Sequence, residues 1–436
     1  MLNVIMFVTV YLGGIFNALF LNPAWAFILY QLIYFIYPQA RWWGYVIPNI
    51  SYSLTSVVLM ALVLAKTFKS SNKNKILSIP QFKWAIALGL SYIVASFYAI
   101  SPEAHHLATT YFIKLLIIIF IAFKLLDSDK KLNGSLVAYI VGAAYIGFIT
   151  FQTGRNSGDR VEGVGTVDSP ESNTIAAAIA PTIILAIYYF WVSKSQKMRA
   201  LMLICSAFTA NALVLINSRG AMIATAAGTG FFLHKVFFSK IQRKNQKISV
   251  FAIVLLGAIG AASIIDNTTI ERIKTLVTVK SEEIDTEKES GATRFFFWIA
   301  AIDMSKDYPL GLGYKGFDIK APEYIPDEIN TGAHRNRSVH STWLQALSEI
   351  GYHGFAALLV MLYYCFKTTN KSKTVLLGRN DKDNYFKIIA IQGAFISYLV
   401  AITFVNRLTA ETLFWFVLFT GCAYNIYVLK EDSTSL

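Results

Sequence analysis

Cysteine is scarce in this chain. Cys205, Cys365 and Cys422 are the three in 436 residues; each sits inside an apolar run, and none forms a C-x-x-C pair. That spacing excludes a disulfide framework or a thiolate metal site as the organising feature. Charge is also scarce, at 15% of residues against 55% hydrophobic, with a mean hydropathy of +0.50. Internal repeats and low-complexity tracts are missing too, which removes the usual signature of a transporter built from repeated halves. Met1-Leu2-Asn3 has no basic n-region and no A-x-A-like site closes the first apolar run, so no cleavable signal peptide is expected.

What the sequence does have is long hydrophobic runs. Leu107 to Leu126 carries only Lys114 and Lys124, and Leu132–Gln152, Asn173–Val192 and Met198–Ile216 are similar. Runs of about 20 residues match the bilayer core at about 1.5 Å per residue. The alternation expected of a β-barrel is not seen. The fold class predicted is an all-α polytopic membrane protein with about 12–13 transmembrane helices. The spans lie near 4–21, 24–37, 46–68, 79–100, 107–126, 132–152, 173–192, 198–216, 219–239, 248–265, 348–366, 385–406 and 408–428. Asn22-Pro23 splits the first two as a hairpin or a re-entrant pair.

The formal charge of +13 does not require a nucleic acid. With alternating spans, the loops holding Lys66 to Lys75, Lys130 and Lys131, Lys194 to Arg199, Lys235 to Lys247 and Lys367 to Lys387 fall on one side. Basic loops on one face mark the cytoplasmic side. The chain then divides into a bundle at 1–265, a large outer loop at 266–347 and C-terminal spans at 348–436. A shorter outer segment runs from Thr153 to Ser172.

Within the large loop, 292–307 has Phe295, Trp298, Ile299 and Ile302 at helical spacing and predicts an amphipathic helix against the membrane or the bundle. Pro309 and Gly311 stop it. An irregular stretch with Pro322 and Pro326 follows. A new helix then starts near Ser341, with Thr342-x-x-Gln345 in capping-box form.

Several patterns have bland readings that prevail. Gly311-x-Gly313-x-x-Gly316 lacks the flanking strand of a dinucleotide site and reads as a tight turn. Asp127-x-Asp129 and Asp381-x-Asp383 read as solvated loop carboxylates beside lysines. The acidic run 281–290 lacks the ligand spacing of a calcium loop. No essential metal and no cofactor are expected.

Arg219 stands at a tight outer turn between two spans. There it either snorkels to the interface or faces a polar cavity. Arg294 opens the amphipathic helix, Arg160 sits in the shorter outer segment, and His340 precedes a helix start. Singly each is ordinary. As a set, three arginines and a histidine from separated segments map to the outer side. Arginine forks suit phosphate oxygens, and imidazole suits proton removal near neutral pH. A donor with a phosphate leaving group and an acceptor hydroxyl would need such groups. Outside the cytoplasm, a lipid-linked diphospho-sugar fits the chemistry and the place.

Ser218-Arg219-Gly220, Pro309-x-Gly-x-Gly313 with Phe317, and His340-Ser-x-x-Leu344-x-x-Leu347-x-Glu349-x-Gly351-x-x-Gly354 together resemble the O-antigen ligase and O-antigen polymerase superfamily. Arg160-Val-Glu-Gly163 and Asn173 are similar to it as well. Pro38-Gln-x-Arg41-Trp-Trp-Gly44 resembles the exosortase-associated O-glycosylation ligase branch. The resemblance implies a GT-C-like, metal-independent, inverting glycosyltransferase in the bacterial inner membrane, with its active site facing the periplasm. The implied donor is a glycan on undecaprenyl diphosphate; the implied acceptor is a glycan, lipid A core or protein hydroxyl, among membrane lipids. It implies His340 as base and Arg219, Arg294 and, less directly, Arg160 as diphosphate ligands. His334, Arg335 and Arg337 depart from the plain pattern as auxiliary candidates. A polysaccharide polymerase shares these motifs and stays open as the alternative. A polysaccharide or lipid transporter is the more distant one.

Overall fold

The computed structural model describes residues 2–264, 291–326 and 336–430. Among these the only β pairing is an isolated bridge between Ser157 and Arg160. The chain is an all-α polytopic membrane protein. Eight helices among the described residues are long and apolar enough to cross a membrane, and the shorter apolar Tyr52–Thr67 and Gln246–Gly260 accompany them. Each of the thirteen predicted spans overlaps a helix.

The helices are α1 (Leu2–Phe16), α2 (Trp25–Ile36), α3 (Tyr52–Thr67), α4 (Pro80–Ala95), α5 (Pro102–Leu125), α6 (Asp129–Thr153), α7 (Ser172–Ile179), α8 (Pro181–Val192), α9 (Gln196–Ile216), α10 (Arg219–Phe237), α11 (Gln246–Ile264), α12 (Gly291–Asp307), α13 (Gly316–Tyr324), α14 (Thr342–Gly378), α15 (Lys382–Ala401) and α16 (Glu411–Tyr424). Asn22-Pro23 separates α1 from α2 as two packed helices. The most buried is α16, where every side chain from Thr412 to Tyr424 is covered. Its Trp415 meets Phe27, Tyr34, Phe35 and Tyr139 edge-on, the geometry that aromatic quadrupoles favour.

Helices α10 and α15 approach closely where Gly228 meets Gly393. A Cβ on Gly228 would stand 2.5 Å from the Gly393 carbonyl oxygen, and one on Gly393 3.0 Å from that of Gly228. Small residues are what let spanning helices come this near.

One end of the bundle is latched by charge. Arg243 pairs with Asp383, Lys387 and Tyr427 with Asp129, Lys131 with Asp127, and Lys430 Nζ donates to the Asp127 carbonyl. The two D-x-D segments thus fasten helix ends together, while Asp129 and Asp383 keep side-chain exposures of 39% and 54%, in line with the expected solvated carboxylates. Tyr189 Oη donating to Asn133 adds a neutral bond at the same end.

The outer segments hold more order than expected. Residues 316–324 form helix α13, with Pro322 inside it, where an irregular stretch was predicted. The amphipathic helix exists as α12, but its buried face is Phe297, Ala300, Ala301 and Met304. Phe295, Ile299 and Ile302 point outward. The alanine stripe permits the closer approach, so it takes the protein side. The acidic run 281–290 lies outside the described residues.

The P-L-G-L-G turn and the start of α14 interlock. Leu312 and Gly313 amides donate to the Ser348 and Glu349 carbonyls at 2.9 and 2.8 Å, and the Tyr352 amide to Pro309 at 3.0 Å. Gly351 breaks α14 with φ +63°, facing Gly311 at φ +87°. Either Cβ would fall 2.3–2.6 Å from the opposing backbone. Left-handed φ and close approach both demand glycine here.

Candidate functional site

Four segments meet at the other end of the bundle. Asn217 adopts the left-handed conformation that ends α9, and Ser218 starts α10 without capping it through its side chain. The first turn of α10 therefore presents backbone amides that have no partner inside the helix. This turn, Arg160, Asn173, Arg294 and the Phe404–Val405 stretch line one cavity of about 60 Å³.

Arg160 and Arg294 are positioned by bonds to the structure around them. Arg160 donates from Nε to the Ile216 carbonyl at 3.1 Å and from Nη2 to Asn173 Oδ1 at 2.7 Å. Arg294 donates from Nη1 to the Phe404 carbonyl at 3.2 Å. Arg219 is the first residue of α10. Three guanidinium groups from three separate elements thus surround one small space, at a helix N-terminus that favours anions.

His340, expected to join the arginines, is not among the residues that line this cavity. It sits at a bend just ahead of α14, half-buried, with φ +49°. The residues around it are tied down. The Val339 carbonyl accepts from Trp298 Nε1 at 3.2 Å, Ser341 donates its amide to Asn406 Oδ1 at 2.9 Å, and Thr342 Oγ1 donates to the Val405 carbonyl at 2.7 Å. Thr342 and Gln345 do not make the expected capping box. Both reach instead to the 405–408 stretch, Gln345 Oε1 accepting from the Leu408 amide at 3.3 Å. His334 and Arg335 lie outside the described residues. Arg337 is half-buried just ahead of Ser338.

Across the 404–408 wall lies a second cavity of about 270 Å³, which includes Tyr314, Lys315, Asp318, Glu349, Asn406 and Arg407. Its floor is an ion pair that the sequence did not signal. Arg407 donates from Nη2 to Asp168 Oδ1 at 2.8 Å and from Nη1 to the Asp168 carbonyl at 2.6 Å. Asp168 also accepts from Tyr34 Oη at 2.5 Å and from the Glu411 amide at 2.9 Å. Burial by itself raises the Asp168 carboxyl. Arg407 and these hydrogen bonds overcome it and hold the group below the usual carboxylate range. Asp318 moves the opposite way: burial raises it, and the nearby Lys315 only partly offsets that. Arg407 falls between two spans and Asp168 in a loop 239 residues earlier, so no local pattern links them.

Arg41 plays a bracing role. It is 6% exposed and donates to the carbonyls of Ile36, Phe35 and Gly165, pinning the 154–171 segment against the end of α2. That gives the Pro38–Gly44 motif a structural reason: it holds the segment carrying Arg160 and Asp168.

No curated protein matches the chain. Residues 201–359 match the family model described as O-antigen ligase. The matched segment contains Arg219, Arg294, His340 and Glu349, while Arg160 and Arg407 lie outside it. That segment supplies half of the residues lining the arginine-rich cavity, and through residues 201–359 the chain is similar to the O-antigen ligase family.

Proposed function

We propose that this protein is a glycosyltransferase that moves a glycan from undecaprenyl diphosphate to an acceptor hydroxyl on the periplasmic side of the bacterial inner membrane. The observation that carries the reading is the convergence of Arg160, Arg219 and Arg294 on the cavity at the first turn of α10. Guanidinium forks and helix amides bind phosphate oxygens and would stabilise the charge that grows on a departing diphosphate. The acceptor oxygen attacks the anomeric carbon, and the bond from that carbon to the phosphate oxygen breaks with inversion. His340 takes the hydroxyl proton. The diphosphate leaves on its lipid.

The test uses purified full-length protein, a lipid-diphosphate-linked glycan and the acceptor. Arg219→Ala and Arg294→Ala are each expected to cut turnover by about 10²–10³-fold, the usual loss on removing a donor to a developing negative charge. Lysine in either position should restore only part, because it lacks the fork. Full activity in both alanine variants would refute the diphosphate role.

A further inference from the structure

The second cavity has a chemistry opposite to the first. Asp318 and Glu349 face it with Lys315, Gln345, Asn406 and Tyr314. Glu349 is 5% exposed, and its carboxyl receives long bonds of 3.3 Å from Gln345 Nε2 together with a backbone bond from Lys315. A carboxylate has about four acceptor sites, so capacity remains. Arg407, also 5% exposed, commits its terminal nitrogens to Asp168 and leaves Nε without a hydrogen-bond partner among the described residues.

These groups discriminate among ligands. A diphosphate would find Arg407 already neutralised by Asp168 and only Lys315 left as a cation, beside two carboxyl groups that offer it no pairing. A lipid chain would strand the buried polar groups without partners, which is costly. A sugar ring carries hydroxyls that both donate and accept, and its C–H faces pack on aromatic rings. The cavity, at about 270 Å³, is near the small end of ligand pockets, roughly 300 Å³.

We propose that this cavity binds the terminal sugar ring of the acceptor, with Asp318 and Glu349 accepting from its hydroxyls. The inference rests on the diphosphate reading of the first cavity, because the shared wall then sets an incoming hydroxyl beside the leaving group. Phe404 and Val405 face the first cavity, and Asn406, Arg407 and Leu408 face the second. His340 stands at this wall: its neighbour Ser341 bonds Asn406, and Ser338 lines the second cavity.

The experiment measures two ligands on the detergent-solubilised full chain. One probe is an array of neutral and amino-sugar oligosaccharides without lipid; the other is sugar-free undecaprenyl diphosphate. Asp318→Asn and the cavity-filling Thr409→Phe should weaken oligosaccharide capture at least tenfold and leave undecaprenyl diphosphate binding unchanged. Glu349→Gln should do the same. It is buried, so the two more peripheral variants carry the test if it fails to fold. Arg219→Ala should show the reverse pattern. The proposal is overturned if the parent protein captures no oligosaccharide, if both peripheral variants capture it normally, or if they lose the diphosphate lipid instead. Should Arg219→Ala bind undecaprenyl diphosphate normally while the oligosaccharide pattern holds, the diphosphate reading fails and the sugar site stands.

Discussion

His340 carries its side chain on a backbone at φ +49°, a region that costs a residue with a Cβ about 1–2 kcal/mol. Its neighbours enforce that geometry through bonds to Trp298, Asn406 and Val405. Strain of this kind is kept where surrounding structure over-determines it. His340→Gly should therefore raise the melting temperature slightly while lowering transfer by about 10²–10⁴-fold, the range for loss of a general base. A glycine variant that turns over normally would remove His340 from the chemistry. Asp168 gives a second residue-scale prediction. Its carboxyl is held below the ordinary value, so the stability it contributes is present above the ordinary value and is lost as pH falls through the lowered one. Asp168→Asn should cost about 2–3 kcal/mol at neutral pH, less than the roughly 3–5 kcal/mol of a fully buried pair, because the Asp168 side chain keeps 25% exposure. The variant's unfolding curve should also depend less on acid than the parent's. Arg219 was legible in the sequence because a cation between two apolar runs is conspicuous. Asp168 was not, because a loop aspartate reveals nothing until Arg407 is seen beside it.

Two contacts between elements set the shape of the site. The first is the Gly311–Gly351 interlock, which explains why a P-x-G-x-G turn and an E-x-G sequence occur together. Gly351→Ala must leave the left-handed region or displace Pro309 and Leu310. It should lower the melting temperature markedly and disturb Tyr314 and Glu349 on the same cavity. His105 supports that turn from α5, where its Nδ1 accepts the Tyr314 amide at 2.9 Å and its Nε2 lies 2.8 Å from the Tyr92 carbonyl. The second contact is the crossing of α10 and α15 at Gly228 and Gly393. α10 starts at Arg219 and α15 leads into Phe404, so this crossing spaces two walls of the arginine cavity. Gly228→Leu should push the helices apart and reduce transfer without touching any group in the site. Unchanged turnover in that variant would show that the spacing is set elsewhere. Helix existence was readable from the apolar runs. The outward face of α12 was not, because it carries two apolar stripes and periodicity alone does not rank Ala300 and Ala301 above Ile299 and Ile302.

The whole molecule has two unlike ends. One is fastened by Asp127, Asp129, Asp383 and their cations; the other holds both cavities. We propose from the positive-inside rule that the fastened end, which carries the basic loops, faces the cytoplasm. Single cysteines introduced by Ser157→Cys and Lys244→Cys, both at exposed positions, should be labelled by a membrane-impermeant maleimide from opposite sides. The native cysteines are buried and should stay silent. Labelling from the same side would refute the orientation. Alternating spans carry this polarity as an expectation, which the labelling tests. The existence of two cavities was not, since each is assembled from segments hundreds of residues apart. Helix α12 adds one more consequence. It brings Arg294 to the cavity with one face and turns Phe295, Ile299 and Ile302 away from the protein with another. We propose that these exposed apolar side chains seat α12 on acyl chains, so that the helix rises and sinks with them. Vesicles of short-chain and long-chain phospholipid should consequently support different rates from the same polypeptide, making lipid thickness a tuning variable for the gap between Arg294 and Arg219.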